Sequence, residues 1–485
     1  TGNLGEEEEN VLGDRYLQTY TQRNNYTNNS YWWNMWSALL AGWCLALALS
    51  GCRDAETDTD DVQMQAQRTV LVYMAAENSM QEGYGADGLG QHHKDSAELV
   101  RGSKSLLKHN RLLMFVDDKS APRLYQLTAV DKAPRLVRTW TDDVCSTSPD
   151  VLRDVLNWVA EHYPSREYGL VMWSHGTGWL PSTNKDYGST IAEARRSEAT
   201  PSGKKNETSV GSLCAWGIDV GADGVGDKTA DGSWGAQMDV ADMAQAIAQS
   251  RMGHLKYIFF DACLMQSVET CYALREVTDY VVASPISTPM AGADYEGAVR
   301  KGLFSADPAD IARTYFAAAT DPNRQREEYD DFGMVISVVR TDRLPALAEA
   351  VKTALPLTPL CKRESPDMNG VLNYAHYAYK YDYRPHNYDA ACVLRHLLPA
   401  GSSELEACLA TLNEAVVCRL ATDEFWIGSW SGNQSVDAEA FCGLAMFVPQ
   451  QVYASNAKYC SHGNLNEVFA TTAWYDAAGW ASTGW

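Results

Sequence analysis

Short, nearly unbroken apolar runs alternate along this chain with stretches whose apolar positions recur every three or four residues. "RTVLVYMAA" (residues 68–76), "RLLMFVDD" (111–118), "YGLVMW" (168–173), "KYIFF" (256–260) and "DYVVAS" (279–284) are of the first kind. Continuous runs of this length, rich in β-branched residues, predict strands buried on both faces. "SPDVLRDVLNWVAEHYP" (148–164) is of the second kind. Ser148 stands at the N-cap, Pro149 at the first helical position and Pro164 beyond the end, while Val151, Leu152, Val155, Leu156 and Val159 form one stripe. Residues 238–250 and "LMQSVETCYALREV" (264–277) predict two more helices. Strands alternating with helices predict an α/β protein, with a mostly parallel central sheet flanked by helices on both faces.

In such sheets the working edge lies beyond the carboxyl ends of the strands. Two segments place reactive side chains there. "LVMWSHGTGW" sets His175 and Gly176 just past one strand, and "FFDACLM" sets Asp261 and Cys263 just past another. A free thiol is only a few per cent ionised at neutral pH, and a neighbouring imidazole or a helix N-terminus raises that fraction. The helix predicted from residue 264 supplies the second influence and His175 the first. Gly176 lets its N–H approach a substrate carbonyl, so the N–H groups of Gly176 and Cys263 are expected to form an oxyanion hole. A histidine that precedes its cysteine in the chain fits the caspase-like order rather than the papain-like one.

The rest of the chain gives weaker signals. Residues 181–237 are rich in Gly, Ser, Asp and Lys, with the basic pairs Arg195–Arg196 and Lys204–Lys205. A loop of this length is usually functional or disordered. Asp219, Asp223, Asp227 and Asp231 recur every fourth residue there, which is not the EF-hand spacing, so no metal site is assigned. His92, His93, His109 and His254 lack a comparable setting and are read as surface or structural. Past residue 300 the pattern is mainly helical, interrupted by strand-like runs at "FGMVISVV" and "FCGLAMFVP".

Composition changes the picture at three points. With 485 residues, 45% of them hydrophobic, the chain can bury a sizeable core in two or three domains. A formal net charge of −22 argues against a nucleic-acid partner, since phosphate binding needs clustered Lys and Arg. The twelve cysteines include no C-x-x-C pair, so zinc ribbons and redox motifs are not expected. Cys408, Cys418, Cys442 and Cys460 lie close enough in sequence for a disulfide in an exported protein.

The front of the chain has a different character. "MWSALLAGWCLALALSGC" (residues 35–52) carries an apolar run shorter than the roughly 20 residues that span a bilayer. Its ending resembles a bacterial lipobox, which implies lipidation of Cys52 and loss of residues 1–51. Residues 1–34 are acidic and polar, and Met35 is read as the natural start. "RDAETDTDDVQMQAQ" (53–67) reads as a disordered acidic tether, similar to signals that carry some lipoproteins to the outer surface. The expected organisation is therefore an extension and signal peptide at 1–52, a tether at 53–67, a catalytic core at 68–300, and a region at 301–485 that completes or packs on it. The expected location is the bacterial cell envelope, lipid-anchored to a membrane.

"WSHGTGW" and "FFDACLM" together resemble the His and Cys motifs of the clostripain family of cysteine peptidases, in the clan of caspases, legumain and gingipains. "TVLVYMAAENSM", "DYVVASPISTP", "CGLAMFVPQ" and "AWYDAAGW" extend the likeness over residues 68–485. It implies a caspase-like sandwich, a Cys263–His175 dyad and cleavage of peptide substrates after Arg or Lys. Asp261 matches the acid two residues before the nucleophile, which would line the pocket for the basic side chain, and its plain alternative is a turn-forming Asp. Ser284 and Thr288 are assigned to the pocket wall. The resemblance also implies activation by cleavage between His and Cys, with Arg195, Arg196, Lys204 and Lys205 as candidates. No cofactor is expected, although some relatives need calcium. The rival is a surface lipoprotein that keeps the fold as a binding module without turnover.

Overall fold

The computed structural model describes residues 65–83, 88–187, 215–322, 324, 333–379, 382–427 and 432–485. Cys52 and the four basic residues at 195, 196, 204 and 205 lie outside the described residues.

Five strands run parallel at the centre: β1 (Ala66–Ala75), β2 (Asn110–Asp117), β5 (Ser165–Trp173), β9 (Tyr257–Asp261) and β10 (Tyr280–Ala283). Antiparallel strands extend both edges. β3 (Arg123–Leu127) and β4 (Arg135–Thr139) follow β2, while β11 (Val335–Arg340) and β14 (Val416–Ala421) flank β10. The nine strands stand in the order β14-β11-β10-β9-β5-β1-β2-β3-β4.

The continuous apolar runs follow from burial on both faces. In β1, Leu71, Tyr73 and Ala75 enter one core, and Val70, Val72 and Met74 enter the other. The first core is closed by helices α2 (Pro149–His162), α3 (Val240–Ala248), α4 (Val268–Leu274), α6 (Leu344–Ala354), α7 (Ala390–Leu397) and α8 (Ser403–Ala415). The second is closed by α1 (Gln91–Ser103) and α5 (Ala309–Ala319). The result is a three-layer α/β/α sandwich. Helix α2 starts at Pro149 behind Ser148, with its five predicted stripe residues all buried. At about 25 cal/mol per Å² of apolar surface removed from water, these side chains provide most of the force holding the helix on the sheet.

Two helix starts fall later than the sequence pattern predicts. Met238 belongs to a short strand β8 (Ala236–Asp239), so α3 begins at Val240. The helix after Cys263 begins at Val268, where the Ser267 side chain accepts the Thr270 N–H. The helix starts five residues beyond Cys263, so the thiol does not sit in its first turn, where the helix-terminus contribution is felt. The region beyond residue 300 carries α5 to α8, but it also supplies β11 and β14 to the main sheet. A hairpin of β12 (Asn373–Tyr379) and β13 (Asp382–Asp389) adds to the strands there. Cys408, Cys418 and Cys442 are free thiols, so the expected bridge is not formed among them. Among the described residues no helix is long and apolar enough to cross a membrane.

Candidate active site

Strands β5 and β9 are parallel neighbours, and Trp173 stands opposite Asp261 in their register. His175 and Cys263 each follow those paired residues by two positions, so the chain delivers both to the same edge of the sheet. The loops then run in contact. A Cβ on Gly176 would lie 2.4 Å from the carbonyl oxygen of Cys263, and one on Gly178, which has φ +69°, would lie 2.4 Å from that of Leu264. Only glycine allows this approach. Gly176 opens the short strand β6 (Gly176–Gly178), which pairs with β7 (Ala215–Asp219), and the Gly217 N–H donates to the His175 carbonyl at 2.9 Å.

His175 is half-buried. Its Nε2 lies 3.0 Å from Ser79 Oγ and 3.3 Å from Asp227 Oδ1. Asp227 is buried and also accepts the Ser79 N–H at 3.0 Å. Burial alone would raise its carboxyl, but the facing His175 and the Ser79 donors hold it down, at about 2. The imidazole is thus gripped through one nitrogen by a buried acid and a hydroxyl. A neutral ring that donates Nε2–H to Asp227 would carry its acceptor lone pair on Nδ1.

Cys263 is partly buried, and its Sγ accepts the Thr288 N–H at 3.3 Å with Thr288 Oγ1 at 3.6 Å. Burial pushes the thiol above its ordinary range, and the two Thr288 donors oppose that. The next residue, Leu264, has φ +63°, which is uncommon for a side chain of this kind. Its N–H donates to the Ile286 carbonyl at 3.0 Å, so the turn after the cysteine is held against residues 284–288. Gln266 completes the support, donating to both Ser337 O and Ser337 Oγ.

The structure separates the three residues assigned to substrate binding. Thr288 touches the cysteine sulfur. Ser284 is buried, and its hydroxyl both accepts the Ile286 N–H and lies 3.3 Å from the Ile286 carbonyl, so it closes a turn. Asp261 is 6% exposed; its Oδ2 accepts the Ala293 N–H at 3.1 Å and the Tyr295 O–H at 2.9 Å. Burial raises the Asp261 carboxyl, opposed by these donors. Gly292 lies directly over it, close enough that a Cβ would meet Oδ2 at 2.7 Å.

Sequence reasoning missed Ser79 and Asp227 as partners of His175. Ser79 lies in the loop after β1, inside a stretch singled out only for its likeness. Asp227 belongs to the four-residue Asp series, where spacing carried no chemistry. A buried acid facing a loop histidine leaves no mark in local periodicity.

The clostripain family model matches residues 72–192 and 229–483. Among solved structures the chain is similar to a secreted C11 cysteine protease from Bacteroides thetaiotaomicron in complex with an irreversible peptide inhibitor. The two are 26% identical with a TM-score of 0.63, over 86% of this chain and 100% of that one. It also shares the fold of an inactive zymogen C11 protease from Parabacteroides distasonis, at 23% identity and a TM-score of 0.60, over 86% of this chain and 99% of the other. No curated protein sequence matches it. A match over both halves of the sheet, with a cysteine and a histidine at one strand edge, leads to one conclusion: the chain belongs to the clostripain family and is a cysteine peptidase.

Proposed function

We propose that the protein is an endopeptidase that cleaves after Arg or Lys, with Cys263 as nucleophile and His175 as its proton partner. The observation that carries this reading is the shared register of β5 and β9, together with the contact of Gly176 on the Cys263 carbonyl. The thiol proton passes to His175 Nδ1 as sulfur attacks the scissile carbonyl carbon. The oxyanion that forms is met by the Gly176 and Cys263 N–H groups, donors of a kind worth about 3–4 kcal/mol each in acyl transfer. Breaking the C–N bond sends that proton to the departing amine, and water then hydrolyses the thioester with His175 as base.

Basic specificity rests on the family likeness and on Asp261, two residues from the sulfur. A guanidinium reaches that carboxylate by displacing the Ala293 and Tyr295 donors, and bidentate pairing compensates for their loss. The expectation of autocleavage after Arg195, Arg196, Lys204 or Lys205 rests on the loop's composition, as lipidation of Cys52 rests on the lipobox. Fluorogenic peptides with Arg, Lys or neutral residues before the scissile bond test the assignment. Turnover of the basic substrates is lost in Cys263→Ala and His175→Ala, and Asp261→Asn erases the preference for them. Activity retained in Cys263→Ala sinks the dyad. N-terminal sequencing of wild type beside Cys263→Ala tests processing, and mass spectrometry of the peptide containing Cys52 tests the anchor.

A further inference from the structure

Two histidines and an acid that the catalytic pair does not use meet at the side of a cleft. His92 and His93 are the second and third residues of α1, and Asp118 directly follows β2. One ligand atom from each lies within 4.8 Å of the other two. The cleft they line has a volume of about 450 Å³ and also presents Gln81, Ser96 and Arg123.

His92 is 3% exposed, and its Nε2 lies 3.4 Å from Asp118 Oδ2. That is longer than an ordinary N–H···O bond, and no hydrogen bond reaches Nδ1. Buried polar groups normally find closer partners than these. The same spacing suits an ion between the two atoms. Ligands at two corners of a zinc tetrahedron, each at about 2.0–2.1 Å, stand about 3.3–3.4 Å apart. Asp118 is held as metal-binding carboxylates commonly are, through its other oxygen. Oδ1 accepts the Ser120 N–H at 2.8 Å and an Arg123 guanidinium N–H at 2.6 Å, which leaves Oδ2 to the ion. His93 is exposed, and its ring centroid lies 3.9 Å from that of His92. Two imidazoles and one carboxylate are a donor set for zinc and its neighbours, whereas calcium and magnesium take oxygen ligands. Three protein ligands leave the fourth corner to water from the cleft. We propose that His92, His93 and Asp118 bind a divalent transition-metal ion of zinc's kind, at a site separate from His175 and Cys263.

The ion ties the first turn of α1 to the turn between β2 and β3. That turn is itself joined to the short turn of residues 79–81, because Gln81 Oε1 accepts the Lys119 N–H at 3.1 Å. Ser79, a partner of His175, belongs to the same short turn. The metal is a brace for this side of the sheet edge and takes no part in bond making.

The test uses the full chain without a purification tag and carrying Cys263→Ala, so that the catalytic thiol does not compete for metal. After chelator treatment, zinc affinity is read by competition with a chromophoric chelator, and cobalt(II) reports the ligands by its visible spectrum. One equivalent of zinc is expected to bind, and cobalt should show d–d bands without thiolate charge transfer. His93→Ala and His92→Gln, added singly, should each weaken zinc binding at least about tenfold. Failure of zinc to bind overturns the proposal, as does a thiolate charge-transfer band, which marks a cysteine site instead. A loss smaller than tenfold in His93→Ala also overturns it. If His92→Gln does not fold, His93→Ala decides, because that side chain is exposed and its removal leaves the core intact.

Discussion

Replacing Asp227 by Asn asks how much the grip on His175 contributes. The substitution keeps an oxygen that can accept the Ser79 N–H and removes only the negative charge 3.3 Å from Nε2. Asp227 has its carboxyl held from an ordinary 3.8 down to about 2. At about 1.4 kcal/mol per pKa unit this is a favourable balance of roughly 2 kcal/mol, shared between His175 and Ser79. A hydrogen bond to a charged group independently gives about 1.5–3 kcal/mol. Because Ser79 Oγ still reaches Nε2 at 3.0 Å, about 1.5–2 kcal/mol is the expected loss. That corresponds to a kcat lower by about 10- to 30-fold. The sign with pH follows from the depressed carboxyl. Its contribution is complete above about pH 4 and disappears only as the pH falls through about 2, so an assay near neutrality reads the full effect. The measurement is steady-state kinetics on a fluorogenic Arg peptide for wild type, Asp227→Asn and Ser79→Ala, with unfolding midpoints alongside. KM should change less than twofold and Ser79→Ala should lose less than Asp227→Asn. A kcat within twofold of wild type in Asp227→Asn would refute the claim that this acid orients the histidine.

Gly176→Ala places a methyl group 2.4 Å from the Cys263 carbonyl oxygen, so the two catalytic loops must part. A loss of activity of at least 100-fold is expected with a stability cost of about 1–3 kcal/mol, read by peptide kinetics and denaturant titration. Arg68 is buried, pairs with Glu167 at 2.7 Å, and donates to the Leu303 and Ser305 carbonyls. Arg68→Ala leaves those acceptors unsatisfied and should destabilise the fold by about 1–3 kcal/mol in urea titration. Glu269 on α4 accepts the Phe447 N–H at 2.9 Å, and burial pushes its carboxyl up to about 7. The folded chain then binds a proton that the unfolded chain releases near 4.5, so stability present below that pH is lost as pH rises through about 7. Glu269→Gln keeps the acceptor and should flatten this dependence, worth about 3 kcal/mol in wild type, in unfolding midpoints between pH 4.5 and 7.5.

Much of the sheet is legible in the sequence because burial on two faces leaves no alternative to unbroken apolar runs. The five central strands and α2 are found close to where their runs lie. The edge strands β3 and β4 are not, since Arg, Gln and Tyr are mixed with their apolar positions and the runs resemble loop. The sequence pattern starts α4 too early because residues 264–267 have helix-like composition, while the positive φ of Leu264 and the pairing of its N–H with Ile286 hold them in a turn.

By itself the sequence determined the layered α/β architecture and the presence of a histidine and a cysteine just past two strands, because both follow from local patterning. Which strands are neighbours was decided only by tertiary structure. The register that sets Trp173 beside Asp261, the closure of Ser79 and Asp227 on one imidazole nitrogen, and the meeting of His92 and His93 with Asp118 all join residues far apart in the chain. Hydrogen bonds and charge interactions act over a few ångströms of space, whatever the sequence separation. Local periodicity reports which face a residue turns inward, not what it meets there.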